Sequence, residues 1–145
     1  MFTHMPRSCF RRSRTLAATH WRGSQSRLFL YDVQRRTLAH TIVLREEKAI
    51  TRDPVFSPDS RWVAVATQVI PDELQRDFEI CAEDVEQPRI HLIDVATGEI
   101  RETLIAPQGF TTSGGFSPDG KTLATAGLGR LLLWDMSKPP GESGE

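Results

Sequence analysis

The 145-residue sequence is poor in cysteine and has no long apolar run. Its two cysteines, Cys9 and Cys81, fit no metal-binding or redox spacing, so we expect reduced thiols in a cytoplasmic protein rather than a disulfide framework. No apolar run approaches the roughly 18 residues that a membrane helix needs, and no secretory h-region is present. We therefore expect no membrane partner.

The formal net charge is only −1, so no overall basic field favours nucleic-acid binding. The charge is uneven, because residues 1–36 contain eight Arg against the single acid Asp32. Between Arg7 and Arg14, where four of these Arg residues cluster, the only aromatic is Phe10, which argues against a nucleic-acid surface. We expect residues 1–13 to be a disordered basic segment. The same composition is typical of organellar transit peptides, and that alternative stays open.

No group of residues predicts catalysis, a cofactor or a metal. The two histidines inside predicted strands, His40 and His91, suit half-buried structural positions. A Gly-x-Ser-x-Gly elbow is missing, and "GLGR" at Gly127 to Arg130 joins two strands, whereas a phosphate loop joins a strand to a helix. The sequence therefore predicts a non-enzymatic protein with no catalytic residue, cofactor or metal site.

The sequence does contain an internal repeat. "FSPDS" at Phe56 returns as "FSPDG" at Phe116, and apolar strands end on Asp32, Asp94 and Asp135. In order, these patterns define a unit of strand a, a turn, strand b, a loop, strand c ending in Asp, a second turn and strand d. We assign structural roles to the repeated residues of units two and three, which are Phe56, Pro58, Asp59, Asp94, Phe116, Pro118, Asp119, Gly120, Trp134 and Asp135.

The repeated turn has the residue preferences of a type I turn, with Ser first, Pro second and Gly fourth. Unit two has Ser60 in place of Gly120. In unit one, "CFRRSRTLAAT" is a divergent copy of "GFSPDGKTLAT". The pattern predicts that residues 121–136 form two antiparallel strands joined near Leu128, with Phe116 buried against their blade.

Four short strands per unit, at a period near 40 residues once residues 68–86 are left out, are typical of a β-propeller blade. The units resemble tryptophan-aspartate (WD) repeats, in which strand c ends in Trp-Asp. Trp134-Asp135 has that pair, and the variants are Tyr31-Asp32 and Ile93-Asp94. The resemblance implies an all-β fold built of blades of four antiparallel strands. The repeats in this chain supply about two and a half to three such blades, an incomplete ring, with one inserted amphipathic helix.

Other parts of the sequence depart from the WD pattern. WD repeats usually carry Gly-His before strand a and an Asp in the b–c turn, and these places read Ala106-Pro107 and Leu128-Gly129. "RDPVFSPD" at Arg52 to Asp59 is similar to the repeats of Tol-type periplasmic proteins and of peptidase-associated propellers. The sequence therefore predicts a divergent WD-like propeller with some Tol-type character.

We place blades at residues 14–44, 49–106 and 109–137, followed by a disordered tail at 138–145. Because a propeller ring needs about four to eight blades, either the chain is a piece of a longer propeller, which we favour, or copies assemble to close one. Unpaired edge strands invite pairing with other chains. We therefore expect the isolated chain to be unstable or oligomeric.

Between strands b and c of unit two lies an insert, residues 68–86, with seven acids and one Arg. Apolar residues at helical spacing predict an amphipathic helix of about four turns, and they are Leu74, Phe78, Cys81 and Val85. This helix either packs on its own blade or docks a partner protein. For docking, the candidate residues are Asp72, Glu73, Asp77, Phe78, Glu83, Asp84 and Glu86.

Two functions follow from these patterns. The first is a protein-interaction scaffold, whose partners are other proteins, copies of itself or the remaining blades of a longer propeller. The alternative is an accessory propeller of a larger enzyme, such as a kinase, peptidase or dehydrogenase, whose catalytic domain lies outside this chain.

Overall fold

A computed structural model of the chain describes residues 8–10, 15–20, 25–47, 49–69, 86–107, 113–127 and 130–138. Regular structure in these ranges consists of β-strands, and every strand pair is antiparallel. The strands are β1 (Ser8–Phe10), β2 (Thr15–His20), β3 (Ser26–Asp32), β4 (Thr37–Arg45), β5 (Ile50–Thr51), β6 (Val55–Phe56), β7 (Trp62–Gln68), β8 (Arg89–Asp94), β9 (Ile100–Ile105), β10 (Ser113–Phe116), β11 (Thr122–Gly127) and β12 (Arg130–Asp135). The predicted all-β fold is confirmed.

The strands form three sheets that follow the predicted unit order. Blade 1 is β1-β2-β3-β4. In blade 2, β5 and β6 both pair with β7 as two halves of strand a, and β8 and β9 follow. Blade 3 is β10-β11-β12, so its described residues supply strands a, b and c. Strand a of blade 1 lies at Ser8–Phe10, within the segment expected to be disordered.

The predicted hairpin in blade 3 is confirmed. Strands β11 and β12 pair from Thr122↔Asp135 to Gly127↔Arg130, which places their connection at residues 128–129. Phe116, predicted to be buried, is only partly buried, and it packs against the cluster of apolar residues that fills the space between blades 2 and 3.

Strand β7 is buried at every position because both of its faces are covered. Val63 and Val65 belong to the apolar cluster between blades 1 and 2, whereas Ala64 and Ala66 belong to the cluster between blades 2 and 3. Strand β9 alternates exposed and half-buried residues, as is typical of an outer strand. The core therefore consists of layers between blades.

The "FSPD" turn is held by its own side chains. Ser57 Oγ donates to Asp59 Oδ1 (2.5 Å) and accepts from the Trp62 amide (3.0 Å), and Asp59 Oδ1 accepts from the Arg61 amide (3.0 Å). The second copy repeats all three bonds, in Ser117 Oγ to Asp119 Oδ1 (2.5 Å), the Thr122 amide to Ser117 Oγ (3.1 Å) and the Lys121 amide to Asp119 Oδ1 (2.9 Å). The phrase recurs because the same turn connects strands a and b in blades 2 and 3.

Ser60 and Gly120 hold equivalent places in the two turns, with φ of 64° and 73°. An L side chain is strained in this left-handed region, whereas Gly is not. We therefore expect Ser60→Gly to raise the free energy of unfolding by roughly 0.5–1 kcal/mol, and Gly120→Ser to lower it by a similar amount. Denaturant titration measures both variants, and a Ser60→Gly protein less stable than the wild type would contradict the expectation.

Candidate functional site

The acidic insert connects the end of β7 to the start of β8, at one end of blade 2. The two ends of the insert lie together, because Gln68 Nε2 donates to the backbone oxygen of Glu86 (3.3 Å). Residues 70–85, which carry the predicted helix, lie outside the described residues. So do six of the seven docking candidates, namely Asp72, Glu73, Asp77, Phe78, Glu83 and Asp84.

The seventh candidate, Glu86, forms ion pairs with two blades. Arg45, at the end of β4 in blade 1, contacts Glu86 through Nη2, at 3.0 Å from Oε1 and 2.9 Å from Oε2. The same nitrogen contacts Glu47, and the Arg45 side chain is only 4% exposed. Arg89 of blade 2 donates to Glu86 Oε1 at 3.0 Å. Glu86 therefore fixes the base of the insert to the junction between blades 1 and 2.

Replacing Glu86 with Gln should destabilise the protein, because the buried Arg45 guanidinium loses one of its two carboxylate partners. Since Glu86 is itself about a third exposed, we expect a loss of about 1–2 kcal/mol in the free energy of unfolding. Glu99→Gln is the matched control, since Glu99 pairs with Arg101 in the open, and its effect should stay within about 0.5 kcal/mol. Equal losses in the two variants, measured by denaturant titration, would contradict a buried role for Arg45.

His91 lies on β8, two residues after Arg89, and is 3% exposed. Its Nε2 is 2.8 Å from Thr67 Oγ1, and its Nδ1 is 3.4 Å from Thr103 Oγ1. Burial, together with the positive charges of Arg45 and Arg89, lowers the pKa of His91 to about 4. His91 is therefore a neutral, hydrogen-bonded core residue at neutral pH.

Some buried polar atoms near the junction of blades 1 and 2 form no hydrogen bond within the described part of the chain. Among the described residues, three buried side-chain atoms have no hydrogen-bond partner, and they are Arg45 Nη1, Thr51 Oγ1 and Gln68 Oε1. Buried polar atoms are usually paired. The junction at the base of the insert therefore contains buried polar atoms that the described residues do not pair.

A groove of about 460 Å³ lies at the opposite end, between blades 2 and 3. It is formed by the repeated turns and by Arg61, whose guanidinium lies 5.0 Å from the centre of the Trp62 ring. The hydroxyl of Ser117 holds the pKa of Asp119 below its usual value, and Ser137 does the same for Asp135. The Asp59 and Asp119 carboxylates at this groove therefore bond within their own turns.

One side-chain bond links strands b and c of blade 3, where Trp134 Nε1 donates to Thr125 Oγ1 at 3.0 Å. Sequence reasoning missed this bond, and it also missed the roles of Arg45 and Arg89. In the described part of the chain, no three His, Cys, Asp or Glu side chains are grouped to hold a metal ion. A search of the same residues for a helix long and apolar enough to cross a membrane found none.

Solved structures with this arrangement of sheets are β-propellers. The chain superposes on hydrazine synthase of Kuenenia stuttgartiensis with a TM-score of 0.64 and 18% identity, covering 86% of this chain and 38% of that one. The β-propeller domain of Swd1 from Myceliophteria thermophila gives 0.58 and 14%, covering 95% and 38%. TolB from Acinetobacter baumannii gives 0.54 and 18%, covering 86% and 28%. The fold is therefore that of β-propeller blades.

Neither a protein-family model nor a curated protein sequence matches the chain. The chain spans about 38% of the length of hydrazine synthase and of the Swd1 propeller. The comparisons thus support the propeller fold that the repeats predict.

Proposed function

We propose that the chain contributes WD-like blades, with some Tol-type character, to a cytoplasmic, non-enzymatic scaffold for protein–protein interaction. The propeller is larger than the chain itself, in keeping with the 28–38% of each reported neighbour that it spans. The observation that carries the proposal is the anchored base of the acidic insert. Gln68, Arg45 and Arg89 hold Glu86 at one end of the blades, so the insert is presented from a fixed point.

The recurrent residues of the blades support this proposal. Ser57 and Asp59 bond within their turn, and Trp134 bonds to Thr125, so these residues serve the architecture. The insert is where the sequence departs from its own repeat, and its seven acids, with one Arg among them, cannot all be buried unpaired. Charged surfaces of this kind act mainly by steering association with a partner of opposite charge. The partner we expect is therefore a protein with a basic surface.

Affinity capture with the wild-type chain, followed by identification of the bound proteins, tests this role. A variant lacking residues 70–85 keeps Gln68 and Glu86 and should lose the partner without loss of stability. Changing Asp77, Glu83 and Asp84 to Lys should slow association and reduce its salt dependence. The control reverses three acids outside the insert, Glu46, Glu99 and Glu102. Partners retained at full strength after deletion of the insert would overturn the proposal.

The alternative function is an accessory propeller of a larger enzyme. The match to hydrazine synthase supports this alternative, because there the similar blades make up 38% of a longer chain. In this case the blades would present a substrate to a catalytic domain, such as a kinase, peptidase or dehydrogenase, encoded beside them. The genomic reading frame on either side separates the two functions. Further blades alone support the scaffold, and an adjoining catalytic domain supports the accessory role.

A further inference from the structure

The three blades share one pattern of side chains on the side that faces the next blade, which we call the trailing face. Residues paired across antiparallel strands, and residues two apart along a strand, lie on the same face of a sheet. The trailing faces carry four equivalent residues in the same register. These are Ala17, Thr19, Leu28 and Leu30 in blade 1, Ala64, Ala66, Ile90 and Leu92 in blade 2, and Ala124, Ala126, Leu131 and Leu133 in blade 3.

In the first two blades this face is covered by the following blade. Leu28 and Leu30 are fully buried, and Ile90 and Leu92 are 1% and 0% exposed. In blade 3 the equivalent residues Leu131 and Leu133 are 63% and 67% exposed. The trailing face of blade 3 thus has the composition of a blade interface, and none of the described residues forms a blade that covers it.

The opposite side of each blade, its leading face, supplies the matching surface. In blade 3 the leading face pairs Leu123 with Trp134 and Thr125 with Leu132. Three of these four residues, Leu123, Leu132 and Trp134, pack in the apolar cluster with the trailing face of blade 2. The trailing face of blade 2 therefore packs against a large apolar residue, Trp134, near the end of strand c of the next blade.

Blade 1 has a leading face of the same type. Leu16 pairs with Tyr31, and Ala18 pairs with Phe29. Tyr31 occupies the register position of Trp134 and is 37% exposed, Leu16 and Phe29 are half-buried, and Ala18 is 7% exposed. The chain thus carries an uncovered trailing face at one end and a partly exposed leading face of the matching pattern at the other.

We propose that these two faces dock onto each other between two copies of the chain, head to tail. Each copy places the leading face of its blade 1 on the trailing face of the other copy's blade 3, so two identical contacts close one ring. Two copies of three blades give a ring of six, within the about four to eight blades that propellers use. Heterologous contacts of this kind form closed rings when their rotations complete a circle. The interface continues the blade packing seen within the chain, and it does not depend on the acidic insert.

Sedimentation velocity on the full chain tests the proposal, and the expected species is a dimer. Leu133→Asp and Tyr31→Asp should each weaken dimerisation by at least about tenfold, because each places a carboxylate in an apolar contact. Ile105→Asp is the matched control, since Ile105 is 59% exposed on the outer strand β9, and it should leave the dimer intact. Leu131→Asp is a second trailing-face variant, and circular dichroism shows that each variant retains its sheets.

Mixing Leu133→Asp with Tyr31→Asp separates head-to-tail docking from other contacts. The mixture keeps one unaltered pair of faces, so it should dimerise although neither variant does so alone. A wild-type chain that sediments as a compact monomer with a cooperative melt would overturn the proposal, and so would further blades in the same reading frame, because they would cover the face. A Tyr31→Asp chain that still dimerises, or a wild type that forms open polymers, would overturn it as well.

Discussion

Leu92→Ala should lower the free energy of unfolding by about 2–5 kcal/mol, whereas Leu133→Ala should change it by less than about 0.5 kcal/mol. The two residues occupy the same register position in blades 2 and 3, but Leu92 is fully buried and Leu133 is 67% exposed. Removing Leu92 leaves a cavity against the cluster that contains Leu123 and Trp134. Because the same side chain is removed in both variants, the difference between their losses of stability measures the effect of the covering blade.

Denaturant titration should be carried out at dilutions where the chain is monomeric, because self-association would cover Leu133. Equal losses for the two variants at such dilutions would show that the faces of blades 2 and 3 are covered to the same extent. Leu30→Ala, on the trailing face of blade 1, is a further check and should match Leu92→Ala, since Leu30 is also fully buried.

The second large effect concerns acid pH. His91 has a pKa of about 4 in the folded protein against a usual value of 6.5, so the unfolded chain binds a proton between these values that the folded chain does not. The free energy of unfolding therefore falls as the pH drops from about 6.5 to about 4, by up to about 3 kcal/mol. Above about pH 6.5 this contribution is constant.

His91→Gln removes the titrating group and can still form hydrogen bonds to Thr67 and Thr103. The carboxylates of the protein titrate in both proteins, so the difference between the two pH profiles reports on His91. We expect the variant to lose less stability than the wild type between pH 6.5 and 4. Parallel profiles would mean that His91 is solvated or charged in the folded state.

The blade architecture could be predicted because its signals are local. The Ser-Pro-Asp turn forms its bonds within five residues, from Ser57 to Trp62, and each hairpin needs no distant partner. Strand β1 is harder to predict, because "RRSR" replaces the Pro and Gly of the repeated turn. The composition of residues 1–13 then favours a disordered segment, although Phe10 pairs with Leu16.

The candidate site could be predicted only in part. The acidic composition of the insert is visible in the sequence, but the Arg45 to Glu86 contact joins residues 41 apart. Nothing local marks Arg45 as buried, since an Arg after an apolar strand usually lies in solvent. The interblade contacts of Glu86 and the burial of His91 both depend on the position of blade 1 against blade 2.

Strand β7 is covered on both faces, and this has a consequence for how the chain opens. Blade 2 has two neighbours, whereas blades 1 and 3 each have one within the described residues. In a linear array with nearest-neighbour coupling, the units with one coupling open first, and the middle unit opens last. Amide protons of β7 should therefore outlast those of β11 in hydrogen exchange, although both are the second strand of their sheet. Closing the ring would give every blade two couplings and make their exchange rates converge.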